Sequence, residues 1–139
     1  MAAAPSEIAR RAMESINSSR SADEAMAALE PLLHPDIEWV NPPDAIEPGT
    51  RRGMDGMRLM LENLFAGGGS GWSNEIQGID EADGRALVLG RPRVQGDSSG
   101  AEVLGPQVAL IFTIQDALVH RVEWHFDIRE ARARFEAVG

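Results

Sequence analysis

Ile8, Ala12, Met13 and Ile16 recur at helical spacing behind Ser6, a candidate cap, and predict a first helix that Asn17-Ser18-Ser19 breaks. Ser21-Ala22-Asp23-Glu24 fits a capping box, and Ala25, Met26, Leu29 and Leu33 share one face of the second helix it opens. Pro31 and Pro35 stop that helix. Ile37, Trp39 and Asn41 alternate with Glu38 and Val40, a strand pattern, and Pro42-Pro43-Asp44 with Pro48-Gly49 marks the loop after it. A third helix is expected from about Met54 to Phe65, its stripe formed by Met54, Met57, Met60, Leu61 and Phe65, and Gly67-Gly68-Gly69 ends it. The rest reads as strand. Ser73–Ile79 pairs with Arg85–Gln95 across the turn Asp83-Gly84; Gly96–Gly100 is a second turn. A long strand Ala101–Gln115 carries a bulge near Gly105-Pro106. Asp116-Ala117 then turns into Leu118–Asp127, and Ile128–Val138 closes as a helix.

Helices first and an antiparallel meander afterwards predict an α+β fold, and 139 residues suit one domain, 1–139, with no repeat or linker. Charge then narrows the partners. Thirteen basic residues, all Arg, oppose 22 acids for a net −9, and Ser21–Thr50 holds seven acids and no base. Phosphate backbones and anionic lipid surfaces are bound by clustered positive charge, so neither a nucleic acid nor a membrane is expected as partner. Zero cysteines exclude disulfides, thiolate metal sites and a Cys nucleophile. Arg10, Arg11 and Glu14 interrupt the opening before any signal-like apolar stretch, and no run reaches membrane-spanning length. A soluble cytoplasmic domain is the expectation.

Leu32-Leu-His-Pro-Asp-Ile-Glu-Trp39, the Pro-rich loop and Gly49-Thr-Arg-Arg-Gly53 together resemble the nuclear-transport-factor-2-like superfamily, with its SnoaL-like branch the best match. Gly100-Ala-Glu102, Asp116-Ala-Leu-Val119 and Arg121-Val-Glu-Trp-His-Phe-Asp127 fall where that branch has its last strands, so the resemblance spans about Ile8 to Phe135. It implies a cone: a curved antiparallel sheet wrapped around N-terminal helices, with an apolar pocket opening at one end. Members include ketosteroid isomerases, polyketide cyclases and limonene-epoxide hydrolases as well as binding and assembly modules, so function must be argued from the site.

The acid–base sets of three such relatives are each incomplete here. Where the isomerases place a general-base Asp before Pro, this chain has Asn41, and an amide does not titrate. The isomerases' Tyr has no counterpart, because the chain has no Tyr, and Leu110 stands at the position of their protonated Asp. Against the epoxide hydrolases, Trp39 and Asn41 match the water-holding Tyr and Asn, but the Arg-x-Asp pair falls on Arg91-Pro92-Arg93 and the last carboxylate on Trp124. The cyclases' Asp falls within Val108–Ile114, which is apolar or Thr throughout.

Candidate chemistry follows. Asn41 can orient a water or substrate, or simply bond the Pro loop; Asp44 and Glu47 are the loop acids nearest a pocket mouth. Arg91 and Arg93 share one strand face, either as solvated outer arginines or as a fork for a ligand oxygen. His34 reads as a cap on helix carbonyls, His120 as an exposed turn neighbour, and His125 with Asp127 as a solvated or interfacial pair. These scattered imidazoles lack ligand spacing, so neither a metal nor any cofactor is expected.

The expected catalytic set is Asn41, Asp44 and Arg91, and the expected ligand contacts are Trp39, Met57, Leu61, Arg93, Leu110, Phe112, Trp124 and Phe126. The function expected is binding of a small apolar molecule carrying one anionic or polarised oxygen, with isomerase, cyclase or hydrolase activity as its enzymatic form. The alternative is a non-catalytic binding or assembly module. A homodimer through the sheet is expected, because Val108, Leu110, Phe112 and Ile114 alternate with the equally apolar Ala109 and Ile111.

Overall fold

The computed structural model describes residues 4–43, 49–67, 73–95 and 102–137. Helix α1 (Pro5–Asn17) buries Ile8, Ala9, Ala12, Met13 and Ile16, the stripe its sequence predicts. Its start differs. Ala4 occupies the cap position with Pro5 in the first turn, and the Ser6 amide donates to the carboxylate of Glu81, 2.8 Å away though 75 positions later in the chain. That bond holds the Glu81 carboxyl below its usual range. Helix α2 (Ala22–Leu29) is capped as expected, Ser21 Oγ accepting from the Glu24 amide at 3.1 Å. Glu24 reaches back one residue further than a capping box requires, to the amide of Arg20.

Pro31 ends α2 in a single 3₁₀ turn, Glu30–Leu32, and the chain enters strand β1 (Leu33–Asn41) four residues earlier than expected. Pro35 and His34 therefore lie in a strand, where a register shift between Leu33 and Glu38 absorbs the proline. Strand β2 (Gly49–Arg52) pairs antiparallel with β1, a pairing that the turn-rich composition of the segment hides. Helix α3 (Gly53–Gly67) follows without a loop, Gly53 at φ +72° making the corner.

Strands β3 (Ser73–Ala82) and β4 (Arg85–Gln95) form the expected hairpin. The long strand expected next is two: β5 (Glu102–Leu104) beside β4, then β6 (Val108–Gln115). Gly105 donates its amide to Pro92 O, so the segment breaks instead of bulging. Strand β7 (Leu118–His125) ends two residues early, because the Asp127 carboxylate accepts from the Glu130 amide and caps helix α4 (Ile128–Ala137).

The sheet order is β2-β1-β7-β6-β4-β3, with β5 attached to β4 and β1 running parallel to β7. Alternation sorts its two faces. Ile37, Trp39, Val88, Leu110, Phe112 and Val122 pack against α1, α2 and α3 in the main core. On the opposite face Leu87, Ala109 and Ile111 lie under Ala131 and Phe135 of α4. Hiding each large side chain there is worth about 1.5–3 kcal/mol. Ion pairs pin α4 at its borders, Arg132 to Asp80 at 2.8 Å and Arg134 to Glu123 at 2.9 Å. The second apolar face, from which a dimer is expected, is thus covered in part by the chain's own last helix.

Candidate functional site

Two aromatic strands meet on the concave face. From β1, Trp39 is 4% exposed and its indole Nε1 donates to Asn41 Oδ1 at 3.0 Å. Two residues apart, these side chains share a face because strands alternate. From the parallel neighbour β7, Trp124 brings its ring to 6.1 Å from that of Trp39, tilted by 50°. Leu110 and Phe112 of β6 and Met57 and Leu61 of α3 are buried in the same cluster. Six of the eight ligand contacts expected from sequence are therefore gathered on one surface.

Phe126 lies beyond the end of β7 and is exposed. It borders a cleft of about 180 Å³ at the sheet end, which it shares with Asn41, Pro43, Trp124, His125 and Glu130. Of the expected catalytic set, Asn41 and Arg91 lie on opposite faces of the sheet. Arg91 and Arg93 continue the row Leu87–Leu89 on the outer face, and Arg93 pairs with Glu75 at 3.0 Å. Asn41 points the other way, into the concave side with Trp39. Of the two arginine readings the geometry matches the outer one: β4 pairs without a shift from Arg85 to Gly90, so alternation carries the outward side of Leu87 directly to Arg91 and Arg93. Asp44 and Glu47 lie outside the described residues.

The histidines also move from their expected places. His34 caps no helix; its Nδ1 accepts from the Asp36 amide, and its ring stacks on His120 with centroids 4.0 Å apart. His120 is half-buried as a result, a contact that only the parallel β1–β7 pairing creates. No group of three His, Asp or Glu among the described residues is placed to hold a metal ion. Likewise no described helix is long and apolar enough to cross a membrane.

Sequence reasoning passed over Asn74. It is completely buried on the concave side of β3, and neither its Oδ1 nor its Nδ2 has a partner. The clue was a polar residue two positions before inward Ile76, facing a strand that carries Gly90.

A curved, mainly antiparallel sheet folded over three helices, with aromatic residues on its concave face, defines the cone-shaped α+β class of the nuclear-transport-factor-2 and cystatin-like folds. The chain matches the SnoaL-like domain family over residues 9–134 and belongs to that family. Among solved structures it is similar to Bal32a from a soil-derived mobile gene cassette (17% identity, 93% of each chain, TM-score 0.71). It is also similar to TerC co-crystallised with polyporic acid (21% identity, 94% of this chain and 96% of that one, TM-score 0.69). A third is a SnoaL-like protein from Jannaschia sp. CCS1 (12% identity, 100% and 99%, TM-score 0.67). A protein from Catenulispora acidiphila in complex with trimethylamine is 13% identical over 91% and 88%, with TM-score 0.70. No curated protein matches the chain.

Proposed function

We propose that this SnoaL-like protein binds a small apolar molecule against the concave face of its sheet, between the Trp39–Trp124 pair and helix α3. One observation carries the reading. Among the described residues the buried surface there is aromatic and aliphatic, and the only buried polar side chains are Ser19 and Asn74. Such a surface favours an apolar guest with few, specific polar contacts. The same observation argues against acid–base catalysis by fully buried groups, since neither Ser19 nor Asn74 is a carboxylate or imidazole. The small molecules held by TerC and by the Catenulispora protein accord with a binding role for this architecture. An isomerase, cyclase or hydrolase step would draw its proton-transfer group from the rim, either from the loop that carries Asp44 or from His125, Asp127 and Glu130, which line the cleft beside Asn41 and Trp124.

Titration of the protein with tetralin by isothermal calorimetry tests the reading. Saturable one-to-one binding that weakens in Trp124→Ala is expected; heat of dilution alone refutes it.

A second reading, a homodimer through the sheet, keeps one supporting observation. Beyond the cover of α4 the outer face continues through Leu89, Arg91 and His125, and Arg91 Nε and His125 Nε2 are buried there without a hydrogen-bond partner. Sedimentation at micromolar concentration is expected to show a dimer, and a clean monomer removes this reading.

A further inference from the structure

The 180 Å³ cleft at the end of the sheet opens away from the concave cluster. Trp39, Met57 and Leu61 are not among its lining residues. Val40 and Glu123 are, and the parallel register of β1 and β7 makes them partners. Glu123 and His125 alternate with Trp124 and pair with Ile111 and Ala109, the outer-face residues beneath α4. The cleft therefore wraps the end of β1 and β7 toward the outer side, where Glu130 in the first turn of α4 completes it.

Three of its lining residues are carboxylates and none is an arginine. Glu123 is already engaged, by Arg134 at 2.9 Å and Arg121 at 3.5 Å. Asp127 and Glu130 have the spacing of a capping box, but only half of it closes. One oxygen of Asp127 accepts from the Glu130 amide at 3.1 Å, while the Glu130 carboxylate has no hydrogen bond or ion pair among the described residues. In the same cleft stands Phe126, 46% exposed and one of two large apolar side chains left in solvent among those described. Pro42 and Pro43 add a wall whose backbone is stiffened by their rings. An open ring face, a rigid apolar wall and an unpaired carboxylate are the parts of a site for a cation with an apolar body. The ring attracts positive charge through its quadrupole, and the carboxylate pairs with it.

We infer that this rim cleft binds a small organic ammonium ion: one ring carrying a short arm that ends in a protonated amine. Size sets the ring count, since an apolar cavity of about 150 Å³ takes one benzene ring. The ring of the guest lies against Val40, Pro42 and Pro43, and its ammonium sits between the Phe126 face and the carboxylates of Glu130 and Asp127. The net charge of −9 draws such a cation from a longer range. An anion is disfavoured, because Arg91 and Arg93, on which the sequence expectation of an anionic oxygen rests, are not among the lining residues. The amides at the start of α4 offer it little either, with Asp127 already their acceptor. This site is independent of the concave binding surface, and the two can fail separately.

Calorimetric titration of the intact protein in dilute buffer with three probes of similar shape tests the site. 2-Phenylethylammonium should bind one to one and about fivefold or more tightly than 2-phenylethanol, with phenylacetate weakest. Added salt should erode that margin while leaving the alcohol unchanged. Glu130→Gln should weaken the ammonium about two- to fivefold and leave the alcohol unchanged. Phe126→Leu, which keeps an apolar wall but removes the ring quadrupole, should weaken it by a similar factor. Both positions are exposed, so both variants should melt with the parent. Equal affinity for ammonium and alcohol overturns the cationic class. Undiminished ammonium binding in both variants overturns the location, as does displacement of the ammonium by tetralin, the probe of the concave face. Absence of binding by all three probes overturns the site and leaves the concave reading to its own titration.

Discussion

Replacing Gly90 by Ala plants a methyl carbon where its three nearest heavy atoms all belong to Asn74: Oδ1 at 2.2 Å, Cγ at 2.9 Å and Nδ2 at 3.2 Å. Real Cβ contacts below 3.0 Å essentially never occur, so the amide must be displaced from a fully buried site. Overpacking of that kind costs about 1–3 kcal/mol. In the Asn74→Ala background all three clashing atoms are gone. There the same Gly90→Ala change should stabilise by about 0.4–1 kcal/mol, because Gly90 has strand-like φ and the alanine restricts the unfolded chain. The two backgrounds should thus differ by about 1.4–4 kcal/mol, a coupling large enough to read from urea melts followed by circular dichroism, provided the denaturant slopes agree. Additivity within about 0.5 kcal/mol would refute the reasoning, by showing that Asn74 does not occupy the space above Gly90.

The β6–β7 turn holds both its central residues at positive φ, Asp116 at 55° and Ala117 at 63°; Ala117→Gly should raise stability by about 0.5–1 kcal/mol and the melting temperature by about 2 °C, whereas a lower melting temperature would contradict the turn. Because its folded pKa lies below the unfolded value, Glu81 contributes stability that is present above the unfolded pKa and is lost as pH falls through the folded one. Glu81→Gln should therefore lose stability relative to the parent near neutrality and converge with it in strong acid, and a constant difference across an acid titration would remove Ser6 as the cause. Asn41 accepts a hydrogen bond from Trp39 and cannot take a proton, so the protein should not isomerise 3-oxo-Δ5 steroids, and measurable turnover would show another base at work.

Local patterns carried much of the fold: the α1 stripe, the Ser21 cap, the Asp83-Gly84 hairpin and the inward row Leu110–Phe112 are each written in a few neighbouring residues. What the sequence left unread depends on distant partners. His34 looks like a helix cap until β7 is laid beside β1 and His120 meets it. Asn74 looks like one more strand-edge polar residue until Asn17 and Gly90, from two other elements, are placed around it. The faces of Arg91 and Arg93 required only strand register, yet no local signal says which side of the sheet faces the helices.

The parallel pairing of β1 with β7 brings Trp39 opposite Val122, 83 positions later in the chain. Closing a loop of that length costs about 2 kcal/mol more than closing one of about 10 residues, and the cost falls before any contact across it can repay it. The ribosome has thus delivered every element from β2 to β6 before β1 gains its second neighbour, with β2 its sole strand partner in the meantime. Assembly of the tryptophan pair is consequently a late, non-local event, and folding should be slow relative to helical proteins of equal length. A nascent chain halted short of β7 would hold Ile37 and Trp39 on an unfinished edge, the stage at which a chaperone has most to shield.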